Sequence, residues 1–159
     1  MIGVLILAHA PLASALAASA SHVYSCAPER AESQVRVLDV MPDAEVAATV
    51  EHARALAAQV NDGSGVLVLT DIFGSTPGNV AARLAESGRV AVVAGVNLPM
   101  LLRALCYRDG VLADTVEKAL AGGIQGVLQI AATPPLQNQS ANQRGGTQGD
   151  DLARLQDQQ

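Results

Sequence analysis

Three short, unbroken apolar runs frame this chain: residues 2–8 (IGVLILA), 65–70 (GVLVLT) and 90–96 (VAVVAGV). None alternates with polar residues, so none has a solvent face; this is the signature of strands covered on both sides. Residues 34–40 (QVRVLDV) do alternate and are expected to lie nearer a sheet edge. Ala-rich stretches of helical period separate these segments. Residues 11–26 can form a helix opened by Pro11, because a first-turn proline loses no helical hydrogen bond. Residues 42–60 (PDAEVAATVEHARALAAQV) carry Pro and acids at the start and apolar residues at three-to-four spacing, and 61–63 (NDG) ends them. Shorter helices are expected over 79–87, stopped by Gly88, and over 98–107, with Pro99 in the first turn. A last helix is expected over 111–121, ended by Gly122 and Gly123, before a short strand over 126–131 (GVLQIA). The strand–helix alternation predicts an α/β fold: a doubly wound, mainly parallel four-stranded sheet with helices on both faces.

The chain has 159 residues, 50% of them hydrophobic but only 2% aromatic, so the core must be built from Ala, Val, Leu and Ile. One domain is expected over 1–131. From Thr133 the composition turns to Gln, Asn, Gly and Pro, and 132–159 reads as a disordered polar tail that cannot bury enough surface to offset its ordering entropy. The net charge is −5 without a basic stripe, which argues against nucleic acid as a partner. Cys26 and Cys106 lack CxxC spacing and read as small core residues in a reducing compartment. His9, His22 and His52 are too scattered for a metal site. Residues 18–20 (ASA) have the small-residue pattern of a signal-peptidase site. No Lys or Arg precedes Arg30, however, and His9 and Pro11 interrupt the apolar stretch. A cytoplasmic protein with no membrane-inserted segment is expected.

A parallel sheet presents the carboxyl ends of its strands along one edge, where ligands bind. His9 follows the first buried run, Asp71 the next and Asn97 the last. A carboxylate that accepts a proton from imidazole Nδ1 fixes the tautomer and leaves Nε2 with a lone pair. The loop 74–79 (GSTPGN) adds glycines, two hydroxyls and a following helix, a set suited to holding an anion. It lacks the GKS/GKT ending of a Walker loop, and the sole lysine, Lys118, falls in the last helix. Each part alone has a plainer reading: a surface histidine, a capping Asp71, an Asn97 that suits a turn. Their coincidence at matching strand ends points to phosphoryl or acyl chemistry. His22 and His52 lie within helical stretches and stay outside the site.

Residues 7–12 (LAHAPL), 70–77 (TDIFGSTP) and 94–101 (AGVNLPML) together resemble the mannose-family EIIA domain of the bacterial phosphoenolpyruvate-dependent sugar phosphotransferase system. The resemblance covers about residues 1–131, with three motifs in order and at the right spacing. It implies a homodimer in which a C-terminal edge strand crosses to the partner. It implies that His9 accepts phosphoryl from the carrier protein HPr and passes it to an EIIB component, with Asp71 as the orienting carboxylate. Gly74, Ser75, Thr76 and Ala10 would line the phosphate position, and no metal or dissociable cofactor is implied. Phe73, Asn97, Leu98, Pro99 and Met100 would form a collar where carrier proteins dock; ordinary core packing is the competing reading of that collar. Ala10 stands where the family often has Gly, and Ser75 where it often has a second Gly. The resemblance is to a free-standing EIIA. Three outlets for the phosphoryl group stay open: an EIIB, a regulatory partner outside transport, or a dihydroxyacetone kinase.

Overall fold

The computed structural model describes residues 1–25, 27 and 29–130. Four strands, β1 (Gly3–His9), β2 (Val35–Val40), β3 (Val66–Thr70) and β4 (Val90–Ala94), form one parallel sheet in the order β2-β1-β3-β4. Two of the three unbroken runs became the central strands β1 and β3. The third, expected to be covered on both sides, is the edge strand β4 and is mostly half-buried, because no described strand pairs beyond it. The alternating segment became the other edge, as its pattern predicts.

Because strand side chains alternate between faces, the sheet feeds two cores. Val4, Ile6, Ala8, Leu67 and Leu69 meet Ala13, Leu16, Met100, Leu101 and Leu105 on one side. Those partners come from α1 (Leu12–Val23) and α5 (Leu98–Tyr107). Leu5, Leu7, Val66 and Val68 meet Val50, Ala53, Ala57, Val60, Val80 and Ala81 on the other, supplied by α3 (Val46–Val60) and α4 (Thr76–Ala82). A single-turn α2 (Glu29–Glu32) precedes β2, and α6 (Leu112–Gln125) packs along α5. Residues 1–128 make one compact unit.

Several expected boundaries move. Pro11 caps α1 rather than sitting inside it, and α1 ends at Val23. α3 begins at Val46 rather than at Pro42, because the Glu45 carboxylate accepts from the amides of Ala47 and Ala48 and starts the helix there. α4 begins three residues early, so Thr76–Asn79 are helix rather than loop, and it stops at Ala82. α6 runs straight through Gly122 and Gly123. These glycines are contact points, not breakers: a Cβ on Gly122 would stand 2.2 Å from Cγ of Arg103, and one on Gly126 2.4 Å from Pro99. Since α6 continues to Gln125 and Gly126 caps it, the strand expected over 126–131 is not formed within residues 126–130. Ala131, the polar tail and Cys26 lie outside the described residues. Cys106, expected in the core, is exposed, because it falls on the outer face of α5. Among the described residues, no helix is long and apolar enough to cross a membrane.

Candidate functional site

β1 carries His9 as its last residue, and β3 delivers Asp71 directly after its own. β1 and β3 are neighbours in parallel register, Leu7 beside Thr70, so both side chains arrive at one edge. His9 Nδ1 lies 2.7 Å from Asp71 Oδ2, and the His9 backbone amide donates to the same oxygen at 3.0 Å. Asp71 Oδ1 accepts from the amide of Ile72 at 2.8 Å. The carboxylate is 8% exposed in its side chain, the imidazole 49%. Burial pushes the Asp71 carboxyl up, yet the His9 amide, the His9 ring and the Ile72 amide together outweigh it and hold the group below its ordinary value. Asp71 is therefore a carboxylate near neutrality. In the neutral ring such a carboxylate accepts the hydrogen bond from Nδ1–H, which leaves the Nε2 lone pair free on a half-exposed imidazole.

The loop after Asp71 turns on Gly74, whose φ of 82° is a left-handed conformation that glycine adopts without strain. Ser75 then caps α4: its hydroxyl donates to the Ile72 carbonyl at 2.7 Å and accepts from the Gly78 amide at 3.3 Å. The Ser75 hydroxyl is thus committed to the loop itself. Thr76 is exposed at the first helical position. The amides of Phe73, Gly74 and Thr76 make no hydrogen bond to other described residues. Ala10 donates its amide to the Val40 carbonyl at 3.1 Å, which holds it as a strand extension rather than a free donor.

The third strand-end residue behaves differently. Asn97 Oδ1 accepts from the Met100 amide at 2.9 Å, and its Nδ2 donates to the Gly123 carbonyl at 3.2 Å. It caps α5 and ties it to α6. The docking collar divides in the same way. Phe73 is 90% exposed, whereas Met100 is 4% exposed inside the core, where α6 covers it, and is withdrawn from any docking surface. Leu98 and Pro99 are half-buried against that packing. Ile72, 60% exposed, belongs with Phe73 and was missed as a rim residue; a hydrophobic pair in a Gly-rich turn with no helical or strand period was the available signal. Asp39 was also missed, although its Oδ1 accepts from the amides of Ala13 and Ser14 at the start of α1. His22 and His52 are exposed on α1 and α3. Among the described residues, no group of three or more His, Cys, Asp or Glu could hold a metal ion.

Fold and site together define a parallel α/β domain with a carboxylate-oriented histidine at the carboxyl edge of its sheet. The family model described as "PTS system fructose IIA component", EIIA-man, matches residues 3–121. The chain belongs to this family, the mannose-type EIIA components of the sugar phosphotransferase system. It is 32% identical over 106 residues to the "PTS system mannose-specific EIIAB component" of Escherichia coli K12, covering 65% of this chain and 33% of that protein. It is 39% identical over 79 residues to the "PTS system fructose-specific EIIA component" of Bacillus subtilis, covering 49% of this chain and 54% of that one. The chain thus spans about a third of the EIIAB relatives and about half of the EIIA relative. The fold matches the mannose/sorbose-specific IIA subunit of Enterococcus faecalis with a TM-score of 0.72 at 22% identity, covering 86% of this chain and 98% of that one. It matches the EIIA component of Streptococcus agalactiae with a TM-score of 0.71 at 23% identity, covering 84% of this chain and all of that one.

Proposed function

We propose that this protein relays phosphoryl groups on Nε2 of His9, taking them from phospho-HPr and delivering them to an EIIB component. The observation that carries the reading is the 2.7 Å contact between His9 Nδ1 and Asp71, which in the neutral ring favours the tautomer with its lone pair on Nε2, on an exposed imidazole. In the transfer step the Nε2 lone pair attacks phosphorus. The donor's N–P bond breaks, and its electron pair returns to the donor imidazole. No proton need leave His9, because the Nδ1 proton stays on the ring, hydrogen-bonded to the Asp71 carboxylate throughout. Phosphorylation at Nε2 makes the ring cationic, and the adjacent carboxylate stabilises that charge.

Positioning and electrostatics supply most of the rate in phosphoryl transfer. The amides of Phe73, Gly74 and Thr76 and the Thr76 hydroxyl are the groups proposed to hold the phosphoryl oxygens. Ser75 contributes by shaping the loop rather than through its hydroxyl, and Ala10 by fixing the backbone beside His9. Ile72 and Phe73 form the apolar rim on which a carrier protein docks. A homodimer belongs to the same proposal: among the described residues no strand pairs with the outer edge of β4, and Ile124, Val127 and Leu128 are exposed beyond the packed part of α6.

Phosphoenolpyruvate, Enzyme I and HPr test the reading directly. The wild-type chain takes label and His9→Ala takes none; full labelling of His9→Ala removes the proposal. Offering the labelled protein an EIIB component, and separately dihydroxyacetone kinase subunits, identifies the acceptor by which of them discharges it.

A further inference from the structure

A second carboxylate grips the His9 segment from the side opposite Asp71. Asp39 lies on β2 in register with Ala8, and its Oδ1 accepts from the amides of Ala13 at 3.0 Å and Ser14 at 3.2 Å. The first amides of any helix have no acceptor within the helix. α1 has no local remedy, since its N-cap is Pro11, which supplies no side-chain cap, and its first turn holds no acid. Asp39 satisfies those donors from a neighbouring strand and sets a negative charge at the positive end of the helix.

The location gives this cap a consequence for chemistry. His9 closes β1 and α1 starts at Leu12, so only Ala10 and Pro11 separate the imidazole-bearing residue from the capped turn. β2 holds that link twice, through Val40, whose carbonyl accepts from the Ala10 amide, and through Asp39. β3 holds the other side through Asp71. The reacting residue is thus suspended between two carboxylates, one on β2 and one directly after β3. One bonds its ring; the other bonds the helix that follows it.

We propose that Asp39 is a positioning residue for His9: by pinning the first turn of α1 it fixes the two-residue link and so the direction in which Nε2 points. The proposal rests on the relay reading above. A misplacement of about 1 Å costs an oriented reaction on the order of a hundredfold. Release of one cap is expected to shift the ring by less than that, for a loss of roughly tenfold.

The test uses the full chain with Asp39→Ala and with Asp39→Asn, which keeps an acceptor oxygen. With phospho-HPr as donor, Asp39→Ala should lower kcat roughly tenfold with KM for the donor unchanged, and Asp39→Asn should recover most of the rate. An Asp39→Ala variant that melts lower but keeps wild-type kcat would overturn the proposal, leaving Asp39 a stability cap. An Asp39→Asn variant as slow as Asp39→Ala would overturn it too, because the retained acceptor would then count for nothing. If the wild-type chain accepts no phosphoryl group at all, the relay reading fails separately, and long-range 1H–15N spectra of the His9 ring still decide the role of Asp39. Asp39→Ala, by letting the ring drift from Asp71, should then mix the two neutral tautomers, while Asp39→Asn keeps the contact and Nδ1–H. Identical ring spectra in all three proteins would refute the positioning role.

Discussion

The loops that follow β3 and β4 begin from nearly the same instructions and end in opposite employment. Both leave a parallel strand, both turn on a glycine at left-handed φ (82° at Gly74, 87° at Gly95), and both enter a helix with proline in its first turn. Each helix is capped by a polar side chain, Ser75 for α4 and Asn97 for α5. After β3, however, capping falls to Ser75, so Asp71 can face His9 while Phe73 and its amide stay open. After β4 the strand-end polar residue is itself the cap, and α6 closes over it. A strand end becomes a site when its polar group is spared structural duty, and the neighbouring helix decides that.

The comparison can be broken at either loop. The largest effect is expected from Asp71→Asn. Its amide would donate to Nδ1 and drive the ring proton to Nε2, the wrong nitrogen for accepting phosphorus. Transfer from phospho-HPr should fall at least about 100-fold, equivalent to about 2.7 kcal/mol of barrier, with the fold retained. An unchanged rate would reduce Asp71 to a cap. On the other side, Gly122→Ala weighs two effects. Alanine favours a helix interior by about 0.5–1 kcal/mol, but overpacking against Arg103, with Cγ 2.2 Å from the new Cβ, costs about 1–3 kcal/mol. Overpacking should win by about 1 kcal/mol in chemical denaturation, with labelling rate preserved; a more stable variant would mean that the α5–α6 contact is loose.

Asn97→Ala should cost about 1 kcal/mol of stability, the usual loss for a helix cap, and leave the transfer rate alone. A rate defect greater than its stability loss would return Asn97 to the site. Phe73→Ala, at a 90% exposed position, should change stability by less than about 0.5 kcal/mol while raising KM for the carrier. An acid titration sharpens the contrast further. Because the folded state holds the Asp71 carboxyl below its ordinary value of 3.8, its contribution to stability is present above that pH and is lost as pH falls through the folded value. Asp71→Asn should lack that acid-side loss, whereas Asn97→Ala should retain it.

The sheet was legible because double burial leaves a crude mark: runs such as 2–8 and 65–70 have nowhere else to go. That His9 and Asp71 share an edge was legible because parallel strands end on one side, but Asn97 shares that edge too, and it is the adjacency of β1 and β3 that brings His9 to Asp71. What escaped the sequence was set by tertiary contact. Gly122 and Gly123 look like helix stops until α5 lies against them. Met100 and Phe73 are both large apolar residues near a turn, and only the cover of α6 separates core from rim. Asp39 reads as the polar beat of an edge strand, with no local hint that a helix twenty-five residues earlier would use it as a cap. Cys106 was misplaced for the same reason, because residue type does not reveal which face of α5 looks outward.

The most direct test of the account is the position of the phosphoryl group on the ring. The protein, labelled with 15N at histidine and charged by phosphoenolpyruvate, Enzyme I and HPr, can be read by 31P and long-range 15N spectra. The hydrogen bond from Nδ1 to Asp71 predicts a single adduct at Nε2 of His9. An adduct at Nδ1, or on His22 or His52, would contradict it.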